Sequence, residues 1–367
     1  MAGNSFGKNL VLTTFGESHG TLTGGVLDGF PSNFPIDQHF IQSELNRRAP
    51  GFGEFSSPRK EEDRFEILSG VFEGKTTGAP IAFIIPNKDQ RSEDYSNLKD
   101  IYRPSHADFS WDSKYGHRDY RGGGRSSARE TAARVAGGAF AKLFLRSKGI
   151  EIHAVVCEIG GLGMRDAGSG MRDAGCGMRD AGYGMQDAGC RMQDVDETKI
   201  IDLLNKLKEE GDTVGGIISC TITGLPAGIG EPVFDKLQAQ LAKAMLSINA
   251  AKGFEYGSGF AAARMKGSEH NDSFVAGPSG ENIQTSTNFS GGIQGGISNG
   301  MPIVFRVAFK PVSSIKMPQE TVNKEGNKVH FTGSGRHDVC VVPRALPIVE
   351  AMAALVIGDQ LLGIGAW

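Results

Sequence analysis

The amino-acid sequence predicts one α+β domain carrying a repetitive insertion. Three observations point there. Short β-branched and aromatic runs alternate with longer stretches of helical periodicity. No linker or composition break divides the 367 residues. A seven-residue unit, GMRDAGx, repeats from Gly163 to Asp194 and resembles nothing else in the chain.

Taken in order, Leu10 to Phe15, Ile67 to Val71, Ile81 to Ile85, Ile152 to Cys157, Gly216 to Ile222 and Ile303 to Phe309 read as strands. Gln38 to Arg48 reads as an amphipathic helix behind Pro35 and Asp37. A second helix is expected from Ser127. Ser127-Ala-Arg-Glu130 has capping-box spacing, and Ala132, Val135, Ala136, Ala139, Phe140 and Leu143 recur on one face behind it. Further helices are expected over Asp196–Glu210, Pro232–Ile248 and Pro343–Leu362. The last is almost uniformly apolar, with alanines that permit close approach, so it belongs at the centre of the core or in a subunit interface.

The repeat is predicted to be marginal to all this. Met and Ala spaced three then four mimic a heptad stripe, but two glycines per unit oppose a helix at about 1 kcal/mol each. The unit drifts only slightly, chiefly at its last place (Ser169, Cys176, Tyr183, Cys190), as in a duplicated stretch. Placed between a strand and a helix, where a surface loop tolerates growth, residues 163–194 are expected to be an insertion without catalytic residues in a single domain over 1–367.

Composition narrows the function. A formal net charge of −3 with 39% hydrophobic residues is ordinary for a globular enzyme and speaks against nucleic acid as partner. The apolar run Ala353 to Ile357 is too short to span a bilayer, and no secretory signal is evident, so no membrane partner is expected. Five cysteines, irregularly placed, give no disulfide framework and no CxxC pair, which suits a reduced cytoplasmic setting. Histidine pairs with metal-ligand spacing are missing too, so no metal is expected. Arginines nevertheless concentrate between Arg103 and Arg134. In a slightly acidic chain, arginines beside glycines suit a small polyanion.

The strongest local signal is Arg121-Gly-Gly-Gly-Arg125-Ser126-Ser127. Exposed backbone amides, a helix start and flanking arginines form a site suited to phosphate or carboxylate; the bland alternative is a flexible turn with surface arginines. Histidine, which exchanges protons near neutral pH, is the next signal. His19 stands in Gly16-Glu-Ser-His-Gly20 at a strand end, His106 in Arg103-Pro-Ser-His-Ala-Asp108, and His337 in Gly335-Arg-His-Asp338. Each alone reads as structural; three such settings together point to a shared site. Ser18 makes a poor hydrolase nucleophile, because the Thr21-Leu-Thr-Gly-Gly that follows reads as turn and strand and not as the helix that a nucleophile elbow needs.

These segments in combination resemble chorismate synthase. The match comprises Thr14-Phe-Gly-Glu-Ser-His-Gly20, Ile67-Leu-Ser-Gly-Val-Phe-Glu-Gly74, Asp94-Tyr95, Arg103 to Asp108, Tyr120 to Thr131, Ser247-Ile-Asn-Ala-Ala-Lys-Gly253, Lys310-Pro-Val-Ser-Ser314 and Gly335 to Asp338, in the family's order. Only the repeat and its borders fall outside. The resemblance implies a layer of helices between antiparallel sheets, a homotetramer, and loss of phosphate and a ring proton from 5-enolpyruvylshikimate 3-phosphate. It also implies reduced FMN as cofactor. NADPH is a candidate reductant, since the family contains both kinds and the chain has no G-x-G-x-x-G unit. By the same resemblance His19 protonates the departing phosphate, His106 supports the reduced flavin, and Asp338 helps relay the proton. Arg125, Ser126, Ser127, Asn249, Ala250, Gly295, Lys310, Pro311, Val312, Ser313, Ser314 and Arg336 match FMN-contacting positions. Arg48 matches a position beside substrate or NADP. Two departures stand out: Ser105 where the family often has glycine, and Gly53-Glu54 where it often has a basic residue. Either Glu54 points away, or Arg59 or Lys60 covers the missing charge.

Overall fold

Strands β1 (Ser5–Phe6), β2 (Val11–Phe15), β3 (Leu22–Asp28), β4 (Glu66–Ile67) and β5 (Ile81–Pro86) form one antiparallel sheet in the order β1-β2-β3-β5-β4. The computed structural model describes residues 3–49, 63–87, 98–163, 197–277, 283–333 and 338–365. Glu54, Arg59, Lys60, Asp94, Tyr95, Arg336, His337 and the repeat beyond Gly163 lie outside them. In β5 the alternation is plain: Ile81, Phe83 and Ile85 are buried and their neighbours half-buried. The central strand β3 follows from the turn and strand read at Thr21-Leu-Thr-Gly-Gly, but it runs on to Asp28, which Gly24 and Gly25 hide by breaking its pattern. The rings of Phe15 and Phe83 come within 2.6 and 2.7 Å of where a Cβ would stand at these two positions. The glycines are there for packing, not for a turn.

A second antiparallel sheet contains β6 (Glu151–Ile159), β7 (Leu162–Gly163), β8 (Gly216–Thr223), β9 (Ala251–Tyr256) and β10 (Ile303–Phe309), ordered β9-β10-β8-β6-β7. Five of the six expected strands fall within these two sheets at nearly their expected bounds. The sixth, Ile67 to Val71, resolves into the end of β4 and the start of a separate hairpin strand, Val71–Phe72.

Helices fill the space between the sheets, as the resemblance implies. Of α1 (Gln38–Arg48), α2 (Asp108–Tyr115), α3 (Thr131–Ser147), α4 (Glu197–Glu210), α5 (Leu237–Leu246) and α6 (Val342–Gly363), it is α3 that meets β2, β3 and β5, while α6 meets β6 and β8. The two helices touch closely at one point: a Cβ on Gly138 would overlap Ala351. Buried Phe, Leu and Ile side chains of this layer, such as Phe140 and Leu355, each contribute about 1.5–3 kcal/mol. By length and hydropathy α6 could cross a membrane, but it is largely buried inside the chain. Its Asp359 accepts the backbone N–H groups of Lys8 (2.8 Å), Asn9 (2.5 Å) and Leu10 (2.8 Å), tying the last helix to the first strands.

Two helix boundaries differ from expectation. The Ser127 hydroxyl does cap a helical turn, accepting from Arg129 N at 3.3 Å, but Ala128–Glu130 is a 3-10 turn and α3 starts only at Thr131. Glu130 takes Arg134 Nε (3.1 Å) instead of closing a capping box. The helix expected from Pro232 begins at Leu237.

Candidate active site

Two loops bring the first two histidines together around the triple glycine. The β2–β3 connection carries His19, which is buried at 6% exposure. Its Nδ1 lies 3.2 Å from Ser18 Oγ, which also donates to Arg121 O at 3.4 Å, so this serine helps to hold the ring in place. Gly122, Gly123 and Gly124 all have left-handed backbone (φ 64°, 99° and 54°) that other residues adopt only with strain. A Cβ on Gly122 would overlap the His19 ring, and one on Gly123 would press to 3.0 Å from His106 Cε1. The glycine run is therefore a thin wall between two imidazoles, a use that its anion-cradle reading did not foresee.

His106 sits on a turn closed by its N–H to Arg103 O (3.2 Å), with Ser105 at φ 56°. Its Nδ1 lies 3.0 Å from Asp108 Oδ1 and 3.1 Å from Arg103 Nη2. A proton on Nδ1 is accepted by Asp108; with the proton on Nε2, Nδ1 accepts from Arg103. Each tautomer thus has a partner, which suits a group that exchanges a proton at Nε2. Burial works against the charge on Asp108. Hydrogen bonds from Arg103 and His106 overcome this and hold its carboxyl far below the usual range.

The arginines are largely committed. Arg118 serves Asp112 (3.0 Å) and the carbonyls of Leu98 (3.0 Å) and Ile101 (3.1 Å). Arg121 folds onto Asp119 at 2.8 and 2.9 Å. Arg125 donates to Gly16 O (3.1 Å), Thr14 O (3.2 Å) and Thr14 Oγ1 (2.8 Å). The pair flanking the glycines is thus held by protein acceptors, where the sequence suggested an anion clamp.

Other matched positions gather beside His106. Ser126 Oγ donates to Gly123 O (2.7 Å), and Asn249 Nδ2 donates to Ser126 O (2.9 Å). Asn249 Oδ1 is buried with no hydrogen-bond partner among the described residues. Ala250 O receives Lys310 N (2.9 Å), and Lys310 Nζ reaches Ser105 Oγ and Pro311 O, both at 3.3 Å. Burial and the nearby Lys252 push the Lys310 ammonium below its usual pKa. Thr213 Oγ1 fixes Val312 O (2.7 Å), leading the chain on through Ser313 and Ser314. Gly295 instead lies on a hairpin whose Gly296 O accepts Leu237 N (2.9 Å) at the start of α5. A cleft of about 230 Å³ opens among Glu17, Asp108, Trp111, His117, Gly123 and Ser126.

Asp338 is buried and accepts from Arg344 Nη1 at 2.5 Å. Arg344 Nε donates to Arg48 O (3.2 Å), and the Arg48 guanidinium, at 2% exposure, pairs with Asp63. Asp63 also takes Arg129, whose Nε donates to Asn87 Oδ1 (2.7 Å). Asn87 Nδ2 closes the circuit on Gly20 O (2.8 Å) and Glu17 O (3.1 Å), beside His19. Asp63, Asn87 and Arg344 escaped the sequence reading. Asp63 sits in the charged run Glu61-Glu-Asp-Arg64, which reads as solvated surface, and Asn87 reads as a turn residue.

The chorismate synthase family model matches residues 10–362. Chorismate synthase of Christiangramia forsetii is 53% identical over 99% of this chain and 98% of its own length; that of Bacteroides thetaiotaomicron is 54% identical over 98% of both. A crystal structure of chorismate synthase superposes with a TM-score of 0.73 at 31% identity, covering 98% of this chain and 93% of the other. The chain therefore belongs to the chorismate synthase family, lyases that eliminate phosphate from 5-enolpyruvylshikimate 3-phosphate to give chorismate.

Proposed function

We propose that His19, His106 and Asp338 divide the proton work of this elimination, with reduced FMN as cofactor. The observation that carries the reading is the glycine wall at 122–124, which sets two imidazoles against one loop. With Nδ1 held by Ser18, His19 donates from Nε2 to the departing phosphate, turning a poor leaving group into a better one. His106 holds or gives a proton at Nε2 while Asp108 balances the charge on its ring. The Asp338 carboxylate, oriented by Arg344, carries the ring proton away.

The residues present fit a phosphate-bearing flavin. Lys310 offers an ammonium held only by neutral acceptors in its described bonds, and Asn249 Oδ1 is a buried acceptor awaiting a donor. Ser126, Ser127, Ala250 and the Lys310–Ser314 segment would line the group, with Arg125, Gly295 and Arg336 as further matched contacts. When bound, reduced FMN would lend electron density as phosphate leaves and recover it as the ring proton is removed, which no side chain can do.

The finer assignments belong to the same proposal. The chain works as a cytoplasmic homotetramer. Phe234, at 90% exposure, and the exposed Phe260, Phe274 and Ile283 support self-association. Residues 163–194 are an insertion within one domain, dispensable for catalysis. One comparison tests the core of the reading: phosphate release from the substrate with chemically reduced FMN under anaerobic conditions, against release in air with NADPH and FMN. Turnover in the first assay is expected, and turnover in the second as well would assign NADPH as reductant. A purified protein that released no phosphate with reduced FMN would overturn the proposal.

A further inference from the structure

We propose that Asp63 is a positioning residue shared by His19 and Asp338, and that Asn87 is its arm to the His19 loop. Asp63 is wholly buried, with Arg129 on Oδ1 and Arg48 on Oδ2. Two chains of bonds run outward from it. Through Arg129 Nε, the Asn87 amide is oriented with Oδ1 inward, which turns Nδ2 toward the carbonyls of Gly20 and Glu17 on either side of His19. Through Arg48, whose backbone oxygen takes Arg344 Nε, the other chain ends on Asp338 Oδ2.

A buried ion triad stabilises a fold less than a well-packed apolar cluster would, so this one needs another reason to be here. Geometry supplies it. The two groups assigned to give and take protons sit on separate segments, the β2–β3 loop and the approach to α6, and the triad is what the described bonds share between them. Arg48, at 2% exposure, then serves by orienting its neighbours.

The inference rests on the roles proposed for His19 and Asp338, so its test has one arm free of turnover. Backbone hydrogen exchange is followed in the full-length protein at residues 16–20 and 338–345. Asp63→Asn, which keeps the shape and removes the charge, is expected to speed exchange at both ends. Asn87→Ala is expected to speed it at 16–20 alone. In the phosphate-release assay with reduced FMN both variants lose kcat with KM little changed, by about tenfold or more for Asp63→Asn and less for Asn87→Ala. Wild-type exchange at either end in a folded Asp63→Asn protein overturns the shared role. Should that variant fail to fold, unchanged exchange at 16–20 and unchanged kcat in Asn87→Ala overturn the proposal by themselves. If the wild type releases no phosphate, the functional reading fails, and the exchange arm still decides whether the two ends are coupled.

Discussion

Among the described residues, buried charges gather in the helix layer and at the candidate site, and the two regions end their networks differently. In the helix layer Lys142 stands between Glu44 (2.6 Å) and Glu350 (2.7 Å), Arg47 adds a bond to Glu350 (2.6 Å), and Ala154 N donates to the same carboxylate (3.0 Å). Every arm ends on another helix or strand. At the candidate site, by contrast, Arg103 and Asp108 end on the His106 ring, and the Asp63 network ends beside His19 and at Asp338. Burial and perturbed ionisation are common to both, so neither marks function. What marks it is a network that terminates on a group able to change its proton.

The comparison breaks most visibly at His106. His106→Ala should lower kcat by about 10²–10⁴-fold, in the range for loss of a general acid or base, while the melting temperature stays close to wild type. Asp108→Asn should share much of that loss by removing the ring's counter-charge. If phosphate release by His106→Ala matched the wild type, the network at the candidate site would be as purely structural as the other one.

Lys142→Met asks the converse. It leaves Glu44 and Glu350 buried beside each other with only Arg47 to compensate, and removing one partner of such a cluster costs about 3–5 kcal/mol. Urea unfolding should show that loss, and the folded fraction should keep its wild-type kcat. A fall in kcat would mean that the helix layer feeds the site.

Much of this was legible in the sequence, and the gaps have physical causes. Periodicity located β5, β8, β10 and α6 because each buries one face or nearly all of itself. It found the start of β3 but not its extent, because the apolar surface above Gly24 and Gly25 comes from Phe15 and Phe83 on neighbouring strands. It missed α2, whose Asp-Phe-Ser-Trp-Asp-Ser-Lys-Tyr has neither a clean stripe nor a capping side chain. The histidines stood out because glycine, proline and charge surrounded them locally. Asp63 and Asn87 did not, since their meaning lies in partners 15 to 70 residues away.

Acid sharpens the difference between the clusters. Burial works against the charge on Glu350, but the Arg47 hydrogen bond and the Lys142 charge draw its pKa from 4.5 down to about 2. A carboxylate depressed on folding stabilises fully above its unfolded pKa and loses that contribution as pH falls through the folded one. The window therefore runs from about pH 4.5 down to about 2, and the contribution is on the order of 3 kcal/mol, at about 1.4 kcal/mol per pKa unit. Urea midpoints measured across that window should fall in the wild type and fall less steeply in Lys142→Met. Equal slopes would show that Glu350 is not the titrating group.

The smallest effect is expected at the seam between the two regions. Ser127 caps the turn leading into α3 by accepting from Arg129 N, and it is also one of the residues proposed above to line the flavin. As a cap alone, Ser127→Ala should cost about 1 kcal/mol of stability. The backbone of Arg129 carries a guanidinium committed to Asp63 and Asn87, so loosening this turn also touches the clamp on the His19 loop. A hydroxyl that in addition meets the cofactor adds a separate signature: a raised KM for reduced FMN, which unfolding experiments do not register. Stability loss with unchanged KM would place Ser127 with the helix layer. A KM rise larger than any change in kcat would place it with the site.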